Sequence, residues 1–137
     1  MIELTNSTDQ TLAPGQSATF DTVILHKGCS ECHRKNSGSI NLTRNNAIYE
    51  VEFYANVGGT AAGDAQIGIT LDGSPLTETN AITVTATAGD LNRISSSTFV
   101  QTCCCGVPGT LLLTNTGTTP INLGANPAFK VKKVARN

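Results

Sequence analysis

The sequence contains little charge, no tryptophan and one methionine, and only 14% of its residues are charged. Nine basic residues nearly balance ten acidic ones, so neither nucleic acid nor a membrane is expected as a partner. No apolar run approaches the roughly 20 residues that a membrane-spanning helix needs. The N-terminal sequence MIELTNSTDQ lacks the basic and apolar segments of a signal peptide. We therefore expect synthesis in a cytoplasm, where thiols stay reduced.

Helical periodicity is also missing, and alternation of apolar and polar residues takes its place. In AIYEVEFYANV (47–57), Tyr49, Val51 and Phe53 fall on one face and the two glutamates between them on the other. This period of two predicts a strand with one buried side. Further segments of this kind are separated by turn signals such as DGSP. They lie at residues 16–25, 38–43, 65–71, 81–87, 92–102, 109–115, 121–124 and 128–134.

These segments predict an all-β fold. About eight to ten short antiparallel strands with closely spaced turns are typical of a jelly-roll β-sandwich. The length of 137 residues suits one domain with a core, and no composition break divides it. We assign this single domain to residues 13–137. Residues 1–12 are polar, and we expect them to form an N-terminal arm or a peripheral strand that serves in attachment.

The order of the segments is similar to that of a known superfamily. LAPGQSATFDTVIL is followed by GSINLTRNNAIYEVEFYANV, QIGITLDGSPL, GTLLLTNTGTTPINL and AFKVKKV. This order resembles the trimeric jelly-roll heads of the C1q and tumour-necrosis-factor-like superfamily, from about residue 11 to residue 134. The loop GCSECHR and the run TCCCG resemble, more narrowly, the head-fibre trimer proteins of crAss-like gut bacteriophages. The Gly-x-y stalk that often precedes such heads is not seen.

The resemblance implies a virion structural protein. It would be a homotrimeric head-fibre or capsid-decoration knob on the capsid surface, made in the host bacterial cytoplasm and attached to a capsid or fibre-anchoring protein. Its work would be binding rather than catalysis, with surface glycans as one class of ligand. The alternative is an adhesin head of the same fold on a bacterial cell or spore surface. A third class is a small β-sandwich hydrolase, but the sequence contains no set of residues suited to catalysing hydrolysis.

Five cysteines occur in two groups, Cys29 with Cys32 and the run 103–105. Strand alternation places Cys103 and Cys105 on one face and Cys104 on the other. If the loop at 26–38 folds over this run, Cys29, Cys32, Cys103 and Cys105 form a four-sulfur site. Structural Zn²⁺ is the natural occupant of such a site, and it is the one cofactor that we consider. Either His33 or His26 would serve as a substitute ligand.

Three other interpretations of the cysteines remain open. Disulfides would form between the two groups once a particle meets oxidising conditions. Reduced cysteines would fill a core as small apolar side chains. Redox chemistry at Cys-x-x-Cys usually needs a helix N-terminus in a βαβ unit, which the sequence does not predict. In the two cross-linked interpretations the sulfur atoms pin a loop of low apolar content.

The remaining chemical candidates are carboxylates and a basic tail. Turn acids could bind Ca²⁺, but no Asp-x-Asp-x-Asp-Gly loop is present, so we expect them to be solvated. Glu50 and Glu52 are a pair of acids, and glycoside hydrolysis uses such pairs. Because they lie two residues apart on one strand, we expect them to form a polar face that meets Arg93 or Lys130. We expect the tail KVKKVARN to be an exposed final strand or a contact to an acidic neighbour rather than a nucleic-acid-binding segment. The turn acids are Asp64, Asp72, Glu78 and Asp90.

Overall fold

The computed structural model describes residues 1–102 and 109–136. These residues form twelve β-strands and no helix. The strands are β1 (Ile2–Thr5), β2 (Gln10–Leu12), β3 (Thr22–His26), β4 (Glu31–His33), β5 (Ile40–Leu42), β6 (Ala47–Gly59), β7 (Gly63–Leu71), β8 (Ser74–Thr85), β9 (Asn92–Gln101), β10 (Thr110–Thr114), β11 (Ile121–Leu123) and β12 (Ala128–Arg136).

The strands form two antiparallel sheets packed face to face, which confirms the predicted jelly-roll β-sandwich. The seven-stranded sheet is centred on β6, which pairs with β9 along one side and with β12 and β11 along the other. From β12 it continues through β1 to β3. The five-stranded sheet has the order β4-β5-β10-β7-β8. Within the described ranges, no helix is long and apolar enough to cross a membrane.

Strand β6 supplies the middle of the core, as its alternation predicts. Its inward residues Tyr49, Val51 and Phe53 are fully buried, and the residues between them are half-buried on the outer face. From the facing sheet, Ile67 and Ile69 of β7 are also fully buried. Burying one face of each sheet removes most of the apolar area from water, which is the main stabilising contribution in a sandwich.

The N-terminal segment belongs to the sheet rather than to a projecting arm. β1 pairs with both β12 and β3, and β2 pairs with β11. Ile2, Leu4 and Leu12 are buried. The segment looks polar in the sequence because only alternate residues face the core. Of the two forms expected for residues 1–12, strands are present, and their role in attachment stays a prediction.

The structure differs from the predicted strand pattern at three other places. Residues 16–21 are not in a strand, because they cross from one sheet to the other: Ala18 N donates to Leu113 O of β10, whereas β3 pairs with β1. β4 lies within the cysteine-bearing loop, which was not expected to contain a strand. β8 begins at Ser74 rather than at residue 81. The polar first half of β8 also pairs with β7, and a β-bulge near Thr79 accommodates the shift in register between the two halves.

The predicted turn at DGSP is confirmed. Leu71 and Ser74 are register partners, so the loop between β7 and β8 contains only Asp72 and Gly73. Both loop residues have positive φ, 52° and 85°. An Asp-Gly pair adopts this conformation readily, and its twist matches that of the flanking strands.

The sandwich has two flanks, where edge strands of the two sheets adjoin. The β3/β4 flank consists of β3, β4 and the loops next to them. The β8/β9 flank consists of β8, β9 and the turn at 86–91 between them. Each of the four strands pairs with one other strand, so its second side has no strand partner within the described residues.

Candidate functional site

The first cysteine pair lies at the β3/β4 flank. Cys29 is in the four-residue loop 27–30, and Cys32 is the central residue of β4. Both side chains are exposed, and no disulfide joins them to each other. Cys103, Cys104 and Cys105 lie outside the described residues. Among the described residues no group of three or more His, Cys, Asp and Glu side chains is arranged to hold a metal ion.

His33 lies on the opposite face of β4 from Cys32, because neighbouring residues of a strand alternate. Cys32 is exposed, whereas the Nε2 atom of His33 is buried and has no hydrogen-bond partner. The His33 Nδ1 atom lies 2.9 Å from the Ser39 carbonyl oxygen, and the His26 Nε2 atom lies 2.9 Å from the Glu31 carbonyl oxygen. His33 and Cys32 therefore do not share a face of β4, and the use of His33 as a substitute ligand stays a prediction.

Thr102 and Gly109, the described residues on either side of the second cysteine group, are held close to the first group. Thr102 Oγ1 donates to Arg44 O at 2.7 Å, and Leu42 N donates to Gly109 O at 2.9 Å. Thr43, between Leu42 and Arg44, donates through its hydroxyl to the carbonyl oxygen of Cys29. The two borders of residues 103–108 are therefore fixed to the same short segment that binds the Cys29 loop.

Tyr49 is the central residue of this network, which we call the loop clamp: Ser30, Thr43, Arg44, Tyr49 and Thr102. The buried Tyr49 hydroxyl donates to Ser30 O at 2.8 Å and accepts from Arg44 N at 3.2 Å. Burial raises the pKa of Tyr49, and the nearby buried Glu31 raises it further, against an opposing effect of the Arg44 backbone. The Glu31 carboxylate itself is paired with the Met1 ammonium.

We predict that Tyr49→Phe lowers the free energy of unfolding at pH 7 by about 1 kcal/mol, because the Arg44 N–H loses its partner. The folded pKa of Tyr49 is raised, so the stability that it contributes is complete below about pH 10 and declines above it. Wild type should therefore lose more stability between about pH 9 and 11 than the variant. Urea unfolding across this range measures both effects.

Tyr54→Phe is the matched control for this prediction. Tyr54 is the other tyrosine of the chain, and it is half-buried on the outer face of β6. Its replacement is expected to change stability at pH 7 by less than about 0.5 kcal/mol, because it leaves the loop clamp intact. Equal pH dependence of wild type and Tyr49→Phe would show that Tyr49 does not cause the alkaline loss.

The four-sulfur site remains a prediction. The zinc-bound and the disulfide-bonded forms of the chain differ in mass, so mass spectrometry distinguishes them. Native mass spectrometry without reductant should find one zinc ion per chain if Cys29, Cys32, Cys103 and Cys105 coordinate it. Cys32→Ser should lose the zinc, because a three-sulfur site binds it far more weakly, whereas Cys104→Ser and His33→Gln should keep it. A metal-free mass reduced by two hydrogens per bridge would establish disulfides instead.

The outer face of the seven-stranded sheet carries paired charges. Lys130 of β12 lies beside Glu52 of β6, with the Lys130 Nζ atom 3.4 Å from the Glu52 Oε1 atom. Arg93 and Lys130 both lie over the Tyr54 ring, at 5.0 and 5.1 Å from its centroid. Desolvation disfavours the charged form of Lys130, but its contacts with Tyr54 and Glu52 outweigh this and raise its pKa. The expected meeting with Lys130 is thus confirmed for Glu52, whereas Glu50 has Lys132 as its register partner on β12.

The four acids expected in turns are dispersed over the surface, and two of them lie in strands instead, Asp64 in β7 and Glu78 in β8. Asp72 Oδ1 accepts from Thr110 N at 2.9 Å, which fixes the β7–β8 turn. Glu78 Oε1 accepts from the Thr98 hydroxyl at 3.3 Å across the β8/β9 flank. Asp64 and Asp90 are exposed. All four acids are exposed, which agrees with the expectation that water solvates them.

Exposed apolar residues on both flanks are the feature that the sequence pattern did not reveal. On β3, Val23 is 45%, Ile24 55% and Leu25 40% exposed. On the other flank, Ile82 is 60% and Val84 68% exposed, with Phe99 of β9 at 63%. In the sequence the run TVIL resembles a buried strand. Its lack of alternation is typical of a strand buried on both sides, whereas β3 is an edge strand with both of its sides exposed, so no local signal reveals its exposure.

Comparison with known proteins shows similarity of fold and not of sequence. No family model matches the chain, and no curated protein sequence matches it. The fold is similar to vertex protein P5 of phage PRD1, with 14% identity and a TM-score of 0.53 over 98% of this chain and 96% of that chain. These data and the two sheets place the protein in the class of jelly-roll β-sandwiches.

Two carbohydrate-binding modules are similar at lower scores. The CBM22-1 xylan-binding domain from Paenibacillus barcinonensis Xyn10C has 15% identity and a TM-score of 0.45 over 98% of this chain and 97% of that chain. The CBM35 from Cellvibrio japonicus Abf62 has 10% identity and a TM-score of 0.37 over 98% of both chains. Neither match bears on what this protein binds.

Proposed function

We propose that this protein is a structural component of a phage particle. It would form a homotrimeric jelly-roll knob on the capsid surface, as a head fibre or capsid decoration. It would act by binding to a capsid or fibre-anchoring protein rather than by catalysis. Membership of the C1q and tumour-necrosis-factor-like superfamily, and of its phage head-fibre group, is part of this proposal and depends on the sequence resemblance.

The observation that carries the proposal is the exposure of large apolar side chains along both flanks. Soluble monomers tend to protect edge strands with charge, proline or a covering loop. Here β3 exposes three consecutive apolar residues, and β8 exposes Ile82 and Val84 on one face. Exposed apolar surface on edge strands is typical of a protein that associates with others. A vertex protein of phage PRD1 has the same fold, which supports the use of this fold in a virion.

The charged groups on the outer face also support binding rather than catalysis. Glu52 is paired with Lys130, and Glu50 has Lys132 as its register partner on β12. A glycoside hydrolase places its two carboxyl groups on either side of the scissile bond, whereas these two glutamates lie two residues apart on one face of one strand. Surface glycans remain a proposed ligand class, and this polar face is the surface on which we would test them.

Immunogold electron microscopy tests the virion role. Antibodies against the purified chain are applied to density-gradient-purified phage particles from the source of the gene, and in parallel to the bacterial cells. Gold on the capsid surface is the expected result. Gold on the cell or spore envelope, with none on particles, would support the adhesin head and overturn the virion role. Particles stripped of the protein by dissociation serve as the control for antibody specificity.

A further inference from the structure

We infer that copies of this chain associate head to tail, with the β3/β4 flank of one copy against the β8/β9 flank of the next. The inference deepens the proposed homotrimer and rests on it. It identifies the two surfaces that meet, and it requires them to be different. Two independent properties of the flanks support it, namely their apolar side chains and their charges.

The apolar side chains are present on both flanks, on strands with a free edge. Val23, Ile24 and Leu25 on β3 have 40% or more of their surface exposed. Ile82 and Val84 share one side of β8, because they are two residues apart in a strand. Each flank therefore offers apolar surface next to unpaired backbone groups, and burial of both is favourable only when another chain covers them.

The charges of the two flanks are opposite. The β3/β4 flank and its adjacent loops carry four exposed cations, whereas three of the five exposed acids lie on or beside the β8/β9 flank and the other two, Asp9 and Asp72, lie on neither flank. Asp64 is the register partner of Val84, Glu78 lies on β8, and Asp90 lies in the turn to β9. The exposed cations are Lys27, Arg34, Lys35 and Arg44.

Three nearby charges leave this contrast in place. Asp21, directly before β3, is a half-buried acid whose carboxylate accepts from the Ser7 hydroxyl, and it offsets one of the four cations. Glu31 on β4 is buried and paired with the Met1 ammonium, so it does not neutralise the basic flank at its surface. Arg93 on β9 lies over Tyr54 on the outer face of its own sheet. Because the whole chain is nearly neutral, the contrast is a local property of the two flanks. Opposite potentials orient two copies so that unlike flanks meet and like flanks repel.

Contact between two different surfaces has a consequence for symmetry. A head-to-tail contact cannot close as a two-fold dimer, and it forms either a ring or an open filament. β3 and β9 are opposite edges of the seven-stranded sheet, so each copy has one flank for the preceding copy and one for the next. A closed ring of three covers the β3/β4 flank and the β8/β9 flank of every copy.

The test uses one variant of each flank. Ile24→Glu places an acid on the basic flank, where it would face the acidic flank of the neighbour. Val84→Lys makes the corresponding change on β8. Each variant alone is expected to associate about a hundredfold more weakly than wild type, so that native mass spectrometry at micromolar concentration finds monomers. Both positions are exposed, and circular dichroism with thermal unfolding verifies that each variant is folded.

An equimolar mixture of the two variants gives the decisive measurement. Ile24→Glu keeps an intact β8/β9 flank, and Val84→Lys keeps an intact β3/β4 flank. The mixture should therefore associate again, with the two variants in equal numbers, because a contact between two intact flanks needs one copy of each variant. The matched control is Val134→Glu on the internal strand β12, which is 41% exposed and should leave the trimer intact.

The alternative outcomes separate the two proposals. A wild-type monomer overturns the trimer and the flank assignment together. Trimers that persist in both variants overturn the flank assignment and leave the trimer standing. Self-dimers of one variant alone indicate a two-fold contact and overturn the head-to-tail arrangement. None of these results affects the immunogold test of the virion role.

Discussion

The Gly58→Ala variant is expected to lose about 3 kcal/mol of stability or more, because its added methyl group has nowhere to go. Gly58 lies in β6, and a Cβ atom there would overlap the backbone carbonyl oxygen of Asp90. A backbone atom cannot move away by a rotamer change. The turn that holds it is fixed by a hydrogen bond from Asp90 N to Thr87 O at 3.0 Å. Equilibrium unfolding in urea, monitored by circular dichroism, measures the loss.

Gly89→Ala is the matched control, because Gly89 lies in the same turn. It has open space around its Cα and a φ of 89°, so alanine there causes backbone strain without overlap. The expected cost is about 1–2 kcal/mol. If Gly58→Ala were no less stable than Gly89→Ala, the close approach of β6 to this turn would be wrong. Gly58→Ala should also weaken self-association, since the turn carries Asp90 of the β8/β9 flank.

Phe129→Ala is the second variant with a large expected effect, a loss of about 3–5 kcal/mol. Phe129 lies on β12 and is fully buried, with Phe53 as its register partner on β6. Its ring is 5.7 Å from that of Phe20, centroid to centroid, at an interplanar angle of 33°. Removing it leaves a cavity where the two sheets meet. Denaturant unfolding of purified variants gives the value.

Phe99→Ala is the matched control, because it removes the same type of side chain from an exposed position. Phe99 is 63% exposed on β9, so we expect its replacement to change monomer stability by less than about 0.5 kcal/mol. A comparable loss in both variants would contradict the placement of the core. The chain has no tryptophan and only four phenylalanines, so each buried ring is a large part of its aromatic core. A loss of this size is a large fraction of the 5–15 kcal/mol typical of a domain.

The sequence predicted most of the local structure because strand alternation and turn chemistry are short-range properties. The buried face of β6 follows from a period of two over residues 47–57, and the β7–β8 turn follows from Asp72 and Gly73. The predicted outward position of Glu52 also held, and so did its pairing with Lys130. These features depend on neighbouring residues or on one adjacent strand.

The candidate site was predicted less completely, for a physical reason. The loop clamp joins Ser30, Tyr49 and Thr102, which are far apart in the chain. Which loops meet at one end of a sandwich depends on the order of strands in both sheets, and no local pattern encodes that order. The proximity of the borders of residues 103–108 to the Cys29 loop is likewise a result of the β5–β10 pairing.

By itself, the sequence determined that this chain forms short two-faced strands joined by tight turns, because side-chain alternation and turn conformation are set within a few residues. Only the tertiary structure decided which strands are edges. β3 carries a run that any local criterion would bury, yet it is exposed because the facing sheet ends at β4. An apolar residue is buried only where another layer covers it, and the position of that layer is fixed by pairing across the whole chain.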